Sequence, residues 1–442
     1  MLLYFCKVRN KFIFNLKNKD DFFRKLVFFS EEYIHFCLLD SNSSENNVPE
    51  RYFEYDFICA FDAIETLSSI HNSFLKVKNF HSKFNDWMFG YLSYDLKDEV
   101  FNLSSEGIDN LTSDHISFFI PKYVMLVKEN KLEVLTHDNK ESTNSIINQI
   151  SCYNCNEQKI NTISFKSRES KKSYLQKIDK IKYHIKRGDI YEINYCQEFF
   201  NDNVLISPHN IFYQLNKLTK SPFASFIKND NICVMGFSPE RYLSKNNSKV
   251  ISQPIKGTSR RSNDTDEDTY LFNKLVKSQK DISENIMIVD LVRNDLSVTA
   301  KSGSVNVDKL CGVYSFSNVH QMISTISSEL EKETHFTEVI KTSFPMGSMT
   351  GAPKQMALNL INKFEENKRG LYSGSVGYIT PKGDFDFNVV IRSLIYNYTR
   401  KYLSLSVGGA ITSKSCSIKE YEECIIKAQP IFDAFNHVLD EK

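Results

Sequence analysis

The order of strand-like and helix-like segments constrains this chain more than any other feature. In the last third, "RGLYSGSVGYI", "DFNVVIRSLIYNY" and "YLSLSVGGAI" follow closely, with helical stretches only between some of them. Strands dominate there without regular strand–helix alternation, which favours an α+β fold over a doubly wound parallel sheet. Upstream, "SYLQKIDKIKYHIKRGDI" places Leu175, Ile178, Ile181 and Ile185 on one helical face and stops at Arg187-Gly188. "TYLFNKLVKSQKDISENIMIVDLVRNDL" reads as one long helix. The chain turns polar from Thr136 to about Lys172, which sets the expected organisation: an N-terminal region 1–135, a polar linker 136–172 and a catalytic domain 173–436.

Composition excludes several classes. Lys and Arg number 55 against 54 Asp and Glu, so nothing global suggests nucleic acid or an anionic membrane. Only six uncharged residues precede Lys7, too few for a signal peptide, and no apolar run approaches the ~18 residues of a membrane span. The ten scattered cysteines then read as reduced thiols of a cytoplasmic protein. Cys152 and Cys155 have CxxC spacing, but no second such pair completes a zinc site. No GxGxxG, Walker loop, GxSxG or HExxH occurs.

The candidate chemistry lies in four places. In "SQPIKGTSRR", Pro254 and Gly257 frame Lys256. It is either a strand-end amine facing water or an amine held for use. Asp281 and Glu284 are three apart on one helix, as are Glu420 and Glu423, with Lys427 four beyond Glu423. These are either exposed ion pairs or carboxylates spaced for a hard divalent ion, since Mg2+ takes one or two carboxylates and keeps waters for substrate to replace. In "FPMGSMTGAPKQM", Thr350 can cap a helix whose first turn contains Gly351, Ala352 and Pro353, and helix N-termini offer N–H groups to anions. Gly408-Gly409 mark either a bend or a close backbone approach, and Arg392 within "FNVVIRSLI" wants a carboxylate from substrate or from the chain.

Taken in order, "SPERYL", "QPIKGTSRR", "SENIMIVDLVRNDLS", "SFPMGSMTGAPK", "RGLYSGSVGYI", "FNVVIR", "VGGAI" and "EYEECIIKA" resemble the chorismate-binding enzymes. The resemblance is strong over about 170–435 and weaker over 1–135, through "CLLDS" and "FGYLSYDL". It implies two packed antiparallel β-sheets surrounded by helices, with the active site between them. It implies Mg2+ as cofactor, with Glu284 and Glu423 as ligands and Glu420 and Asp281 assisting. Arg392, Tyr372, Lys427 and the Gly408 and Gly409 amides would clamp the other carboxylate, with Thr258 and Ser348 near the ring.

Within the family, "PIKGT" resembles the aminodeoxychorismate synthase pattern, on the route to para-aminobenzoate and folate, rather than the "PIAGT" of anthranilate synthases. That implies a nucleophilic Lys256, kept neutral by burial and nearby cations, which attacks chorismate before ammonia replaces it. Gln197 in "YCQEFF" is read at the place of the lysine that activates water in isochorismate-forming relatives, and an amide cannot take that proton. Gln321 stands where a second histidine is usual, in "FSNVHQMIS". Chorismate and ammonia are the implied substrates, with a glutaminase subunit as partner because no glutaminase-type Cys/His arrangement is visible. Anthranilate synthase component I is the alternative, and a non-catalytic chorismate or tryptophan sensor is the reading from another class. "LLDS" resembles the tryptophan-binding region of family members.

Overall fold

The structure is a computed structural model that describes residues 8–43 and 54–437. The segment weighed as a signal peptide, 1–7, lies outside the described residues. Every strand pairing is antiparallel. In the first sheet, Glu192–Asn201 pairs with Tyr402–Ile411, then Ser393–Asn397, Ile232–Ser238, Phe223–Asn229, Phe36–Asp40, Phe57–Ser69 and Ile116–Lys128 follow. The last strand also begins the second sheet, through Met88–Leu92, Ser375–Ile379, Phe385–Asn388, Arg241–Asn246 and Lys249–Gln253 to Val319–Glu329. The strands Ile255–Arg260 and Asn306–Ser315 complete it.

The expected α+β architecture is therefore present, as two antiparallel sheets joined through the long shared strand Ile116–Lys128. Alternation in Glu192–Asn201 explains the layering. Ile193, Tyr195 and Phe199 join an apolar cluster with helices Lys171–Arg187, Lys354–Phe364 and Ser417–Ala434. Cys196 and Phe200 point the other way, into a cluster with Phe118, Val376 and Phe387 of the second sheet. The segment 136–172 carries the helix Lys140–Ser151, whose Ile146 and Ile150 are buried, and strands from before and after it share the first sheet.

Local signals decide where helices begin and end. Ser170 caps Lys171–Arg187 by accepting from the Ser173 N–H, and Gly188 ends it at a φ of 82°. The single long helix read over 269–296 is two helices, Thr265–Val276 and Gln279–Ser297. Ser278 breaks it: its extended backbone and its hydroxyl, accepting from the Asp281 N–H, start a new helix. Thr350 does not cap that helix and instead ends the short turn Gly347–Met349. Gly351 and Ala352 pair with Ile193 and Glu192 as a short strand, so the helix waits until Lys354. Among the described residues no helix is long and apolar enough to cross a membrane.

Candidate active site

Lys256 points inward. The strand Ile255–Arg260 is irregular against Val319–Glu329 between Ile255 and Thr258. Gly257 sits there at a φ of 92°, and a Cβ on it would come within 2.8 Å of the Asp281 Cβ. The glycine lets the strand lie against the start of helix Gln279–Ser297. The lysine is 9% exposed, and its Nζ donates to Glu192 Oε1 at 2.8 Å. Glu192 is held by the bridge to Ala352, where Gly351 approaches so closely that a Cβ would stand 2.2 Å from the Glu192 carbonyl oxygen.

More acids surround this pair. Glu240, in "SPERYL", is buried beside Ser348, Lys256 and Arg392. Burial pushes its carboxyl up to about 7, against the Ser348 hydroxyl and the Lys256 charge. Burial likewise raises Glu284 to about 7, opposed by Lys256 and Lys280. Burial alone would lower the Lys256 amine, but Glu192, Glu284 and Glu240 outweigh it and the amine is raised. This corrects the expectation of a lysine kept neutral by cations: carboxylates, not cations, are its nearest charges.

Arg392 lies outside any strand, in the break between Phe385–Asn388 and Ser393–Asn397, at a φ of 51°. A non-glycine residue in that region is strained by roughly 1–3 kcal/mol. Its guanidinium has no hydrogen-bond or ion-pair partner among the described residues, and burial lowers its pKa despite Glu240.

The helix Ser417–Ala434 supplies the far wall. Burial raises Glu420. Burial also works against Glu423, yet the Lys427 ammonium, 2.8 Å from it, keeps that carboxyl below its usual value. Lys427 also donates to the Gly408 carbonyl at 2.7 Å. A Cβ on Gly409 would lie 3.5 Å from Glu420 Oε2 and 3.7 Å from Glu423 Oε1, so that glycine borders the acidic pair. Gly408 faces the other way, against the Cys196 thiol and the Tyr195 carbonyl. Tyr372 is buried with its hydroxyl 3.8 Å from Cys196 Sγ.

Some expected residues stand apart. Thr258 is exposed, opposite Gln321 in the ladder. The Asp281 carboxylate is engaged by the Ser278 hydroxyl at its helix start. Gln197 is five residues along the strand from Glu192, about 16 Å at roughly 3.3 Å per residue, and shares the helix-covered face of Tyr195 and Phe199. Its amide is buried without a partner among the described residues, but the residue against Lys256 is Glu192. Gln321 is fully buried, and neither its side-chain oxygen nor its nitrogen has a partner among the described residues. Sequence reading missed Glu192 and Glu240. Glu192 stands as an acid beside Ile190, Tyr191 and Ile193, which was the available signal, whereas Glu240 lies in the turn between Pro239 and Arg241.

The carboxylates suit a divalent cation by number rather than by a ready-made cage. Glu284 Oε1 and Glu420 Oε2 are buried without hydrogen-bond partners among the described residues, and Glu192, Glu240 and Glu423 add further negative charge. Among the described residues no three His, Cys, Asp or Glu side chains converge as a metal cluster. Mg2+ is commonly held by one or two carboxylates plus the substrate, so the donor set fits it.

Glu240 gives a test of this electrostatic picture. A carboxyl raised from 4.5 to about 7 contributes stability that is full below the ordinary value and lost as pH rises through about 7. The contribution is at most about 3 kcal/mol. Thermal melts should show Tm falling between pH 5 and pH 8, and Glu240→Gln should flatten that fall.

"LLDS" lies elsewhere. Leu39, Asp40 and Ser41 line a separate cavity of about 820 Å³ with Pro222, Phe223 and Tyr378. Burial raises Asp40 to about 6 there, against bonds from the Asn42 N–H and the Asn216 amide.

The sheets bring an acid-lined lysine together with an arginine that is unpartnered among the described residues. The chain belongs to the chorismate binding enzyme family, whose profile matches residues 35–433. It is 34% identical to aminodeoxychorismate synthase component 1 of Escherichia coli (strain K12) over 280 residues, 63% of this chain and 60% of that relative. It is 32% identical to anthranilate synthase component 1 of Aquifex aeolicus (strain VF5) over 274 residues, 61% of this chain and 54% of that relative. The matches thus span somewhat over half the length of these curated relatives. The fold is also that of the crystal structure of anthranilate synthase component I from Streptococcus pneumoniae TIGR4. The TM-score is 0.75 at 22% identity, covering 86% of this chain and 93% of that one.

Proposed function

We propose that the chain aminates chorismate at C4 with ammonia, giving 4-amino-4-deoxychorismate, the precursor of para-aminobenzoate. The observation that carries this reading is Lys256, an amine buried among acids on the strand Ile255–Arg260 and hydrogen-bonded to Glu192. Solvation does not explain such an amine, and nucleophilic catalysis does.

Arg392 offers its free guanidinium fork to the enolpyruvyl carboxylate, assisted by Lys427 and the Gly409 backbone. Ser348 positions Glu240, whose carboxyl can carry a proton near neutral pH. The Lys256 nitrogen bonds to C2, the two ring double bonds shift, and the C4 hydroxyl leaves as water with the Glu240 proton. Ammonia then bonds to C4, the double bonds shift back, and the bond between Nζ and C2 breaks. Glu284 and Glu423, with Glu420 alongside, would hold Mg2+, whose charge neutralises the ring carboxylate and permits a dianion among these acids. Ammonia would come from a glutaminase subunit, in keeping with the "component 1" in the relative's name.

Purified chain supplied with chorismate, Mg2+ and excess ammonium should yield aminodeoxychorismate. Chelation should stop the reaction and added Mg2+ restore it. Anthranilate plus pyruvate as products would overturn the reading in favour of the alternative.

A further inference from the structure

We propose that Glu192 is the general base that takes a proton from Lys256 before attack and the acid that returns it afterwards. The inference rests on the amination reading and adds the residue that makes the amine nucleophilic. Four carboxylates influence Lys256: Glu192 from the first sheet, Glu240 from the turn before Arg241–Asn246, Glu284 from helix Gln279–Ser297 and Glu423 from helix Ser417–Ala434. Only Glu192 is hydrogen-bonded to Nζ, at 2.8 Å. Both partners are fixed. The Glu192 backbone bridges Ala352, and Lys256 sits between Pro254 and Gly257.

The position of Glu192 suits transfer. The residue is 1% exposed, and its Oε2 has no hydrogen-bond partner among the described residues. Moving one proton along the existing bond converts a buried ion pair into a neutral carboxyl and a neutral amine. The balance closes over the cycle. An Nζ–H bond breaks and an O–H bond forms at Oε1, and the Nζ lone pair then bonds to C2, leaving the adduct nitrogen cationic. When ammonia has bonded to C4, Nζ leaves as a neutral amine and Glu192 hands its proton back.

The opposite role is also physically possible: Glu192 could hold Lys256 charged and idle. Glu192→Gln separates the two, because glutamine keeps the size and the hydrogen bond but cannot take the proton. The full-length variant is mixed with chorismate and Mg2+ without ammonium, and the Lys256 adduct is followed by mass spectrometry across pH 6.5–8.5. The expected result is a loss of roughly 10²–10³-fold in adduct formation near neutral pH, with chorismate binding retained. The remaining rate should climb with pH, whereas the wild-type rate stays nearly flat. An equal or faster rate in Glu192→Gln overturns the proposal. If that variant does not fold, Glu192→Asp decides: a slower but pH-flat rate supports the base, and a steep one sinks it. The wild-type chain tests the underlying reading separately, since no aminated product from it defeats the function and not merely the base.

Discussion

Lys256→Ala should reduce aminodeoxychorismate formation on the order of 10³-fold or more and abolish any covalent adduct. The size follows from the site's economy of groups. Among the described residues Lys256 is the one amine of the site that is both buried and aimed among the acids, since Lys280 and Lys427 are partly exposed. Removing it also leaves Glu192, Glu240 and Glu284 without their shared cation, so their charges repel. Lys256→Arg restores the charge without a usable nucleophile. It should recover thermal stability and chorismate binding but not product. Separating the two variants by melts and product analysis distinguishes a lost nucleophile from a lost ion pair. An adduct mapping to another residue would reassign the chemistry.

Arg392→Ala should raise the KM for chorismate by roughly 10²-fold, the scale of 2–5 kcal/mol expected when a buried charge loses its partner. The fold should tolerate the change, because the guanidinium has no internal partner to lose. The backbone is the complication. Residue 392 holds a φ of 51°, which alanine bears no better than arginine. Arg392→Gly suits that conformation, so it should match Arg392→Ala in KM while melting no lower. A KM close to wild type in both variants would remove Arg392 from the clamp. Arg392→Lys should recover only part of the binding, since one ammonium cannot reproduce the planar fork.

Fold class was legible because it depends on the order of strands and helices, which composition and periodicity report directly. The frame of Lys256 was legible as well, since Pro254 and Gly257 are backbone instructions. Other features depended on information that spacing lacks. Glu192 and Gln197 lie five apart on one strand, and period-two alternation puts them on opposite faces without saying which face meets the site. Only the bridge to Ala352 and the contact with Lys256 decide that. Ser278 breaks a helix whose periodicity runs on across it, because one capping hydroxyl competes locally with propensity. Glu240 appears in sequence as an acid between Pro239 and Arg241, with nothing local to mark it. Its raised carboxyl comes from burial, and its neighbours Ser348 and Arg392 are more than a hundred residues away.

The long strand Ile116–Lys128 belongs to both sheets, and Phe36–Asp40 and Met88–Leu92 pair directly with strands from the later part of the chain. The early residues are therefore not a detachable module. A crossover that exchanged them between two relatives would have to preserve pairings with Phe223–Asn229 and Ser375–Ile379, across a gap of more than a hundred residues. Heredity of this architecture is thus by the whole sheet. The cavity beside "LLDS" and the catalytic walls lie on different strands, tied together only through the ladders between them.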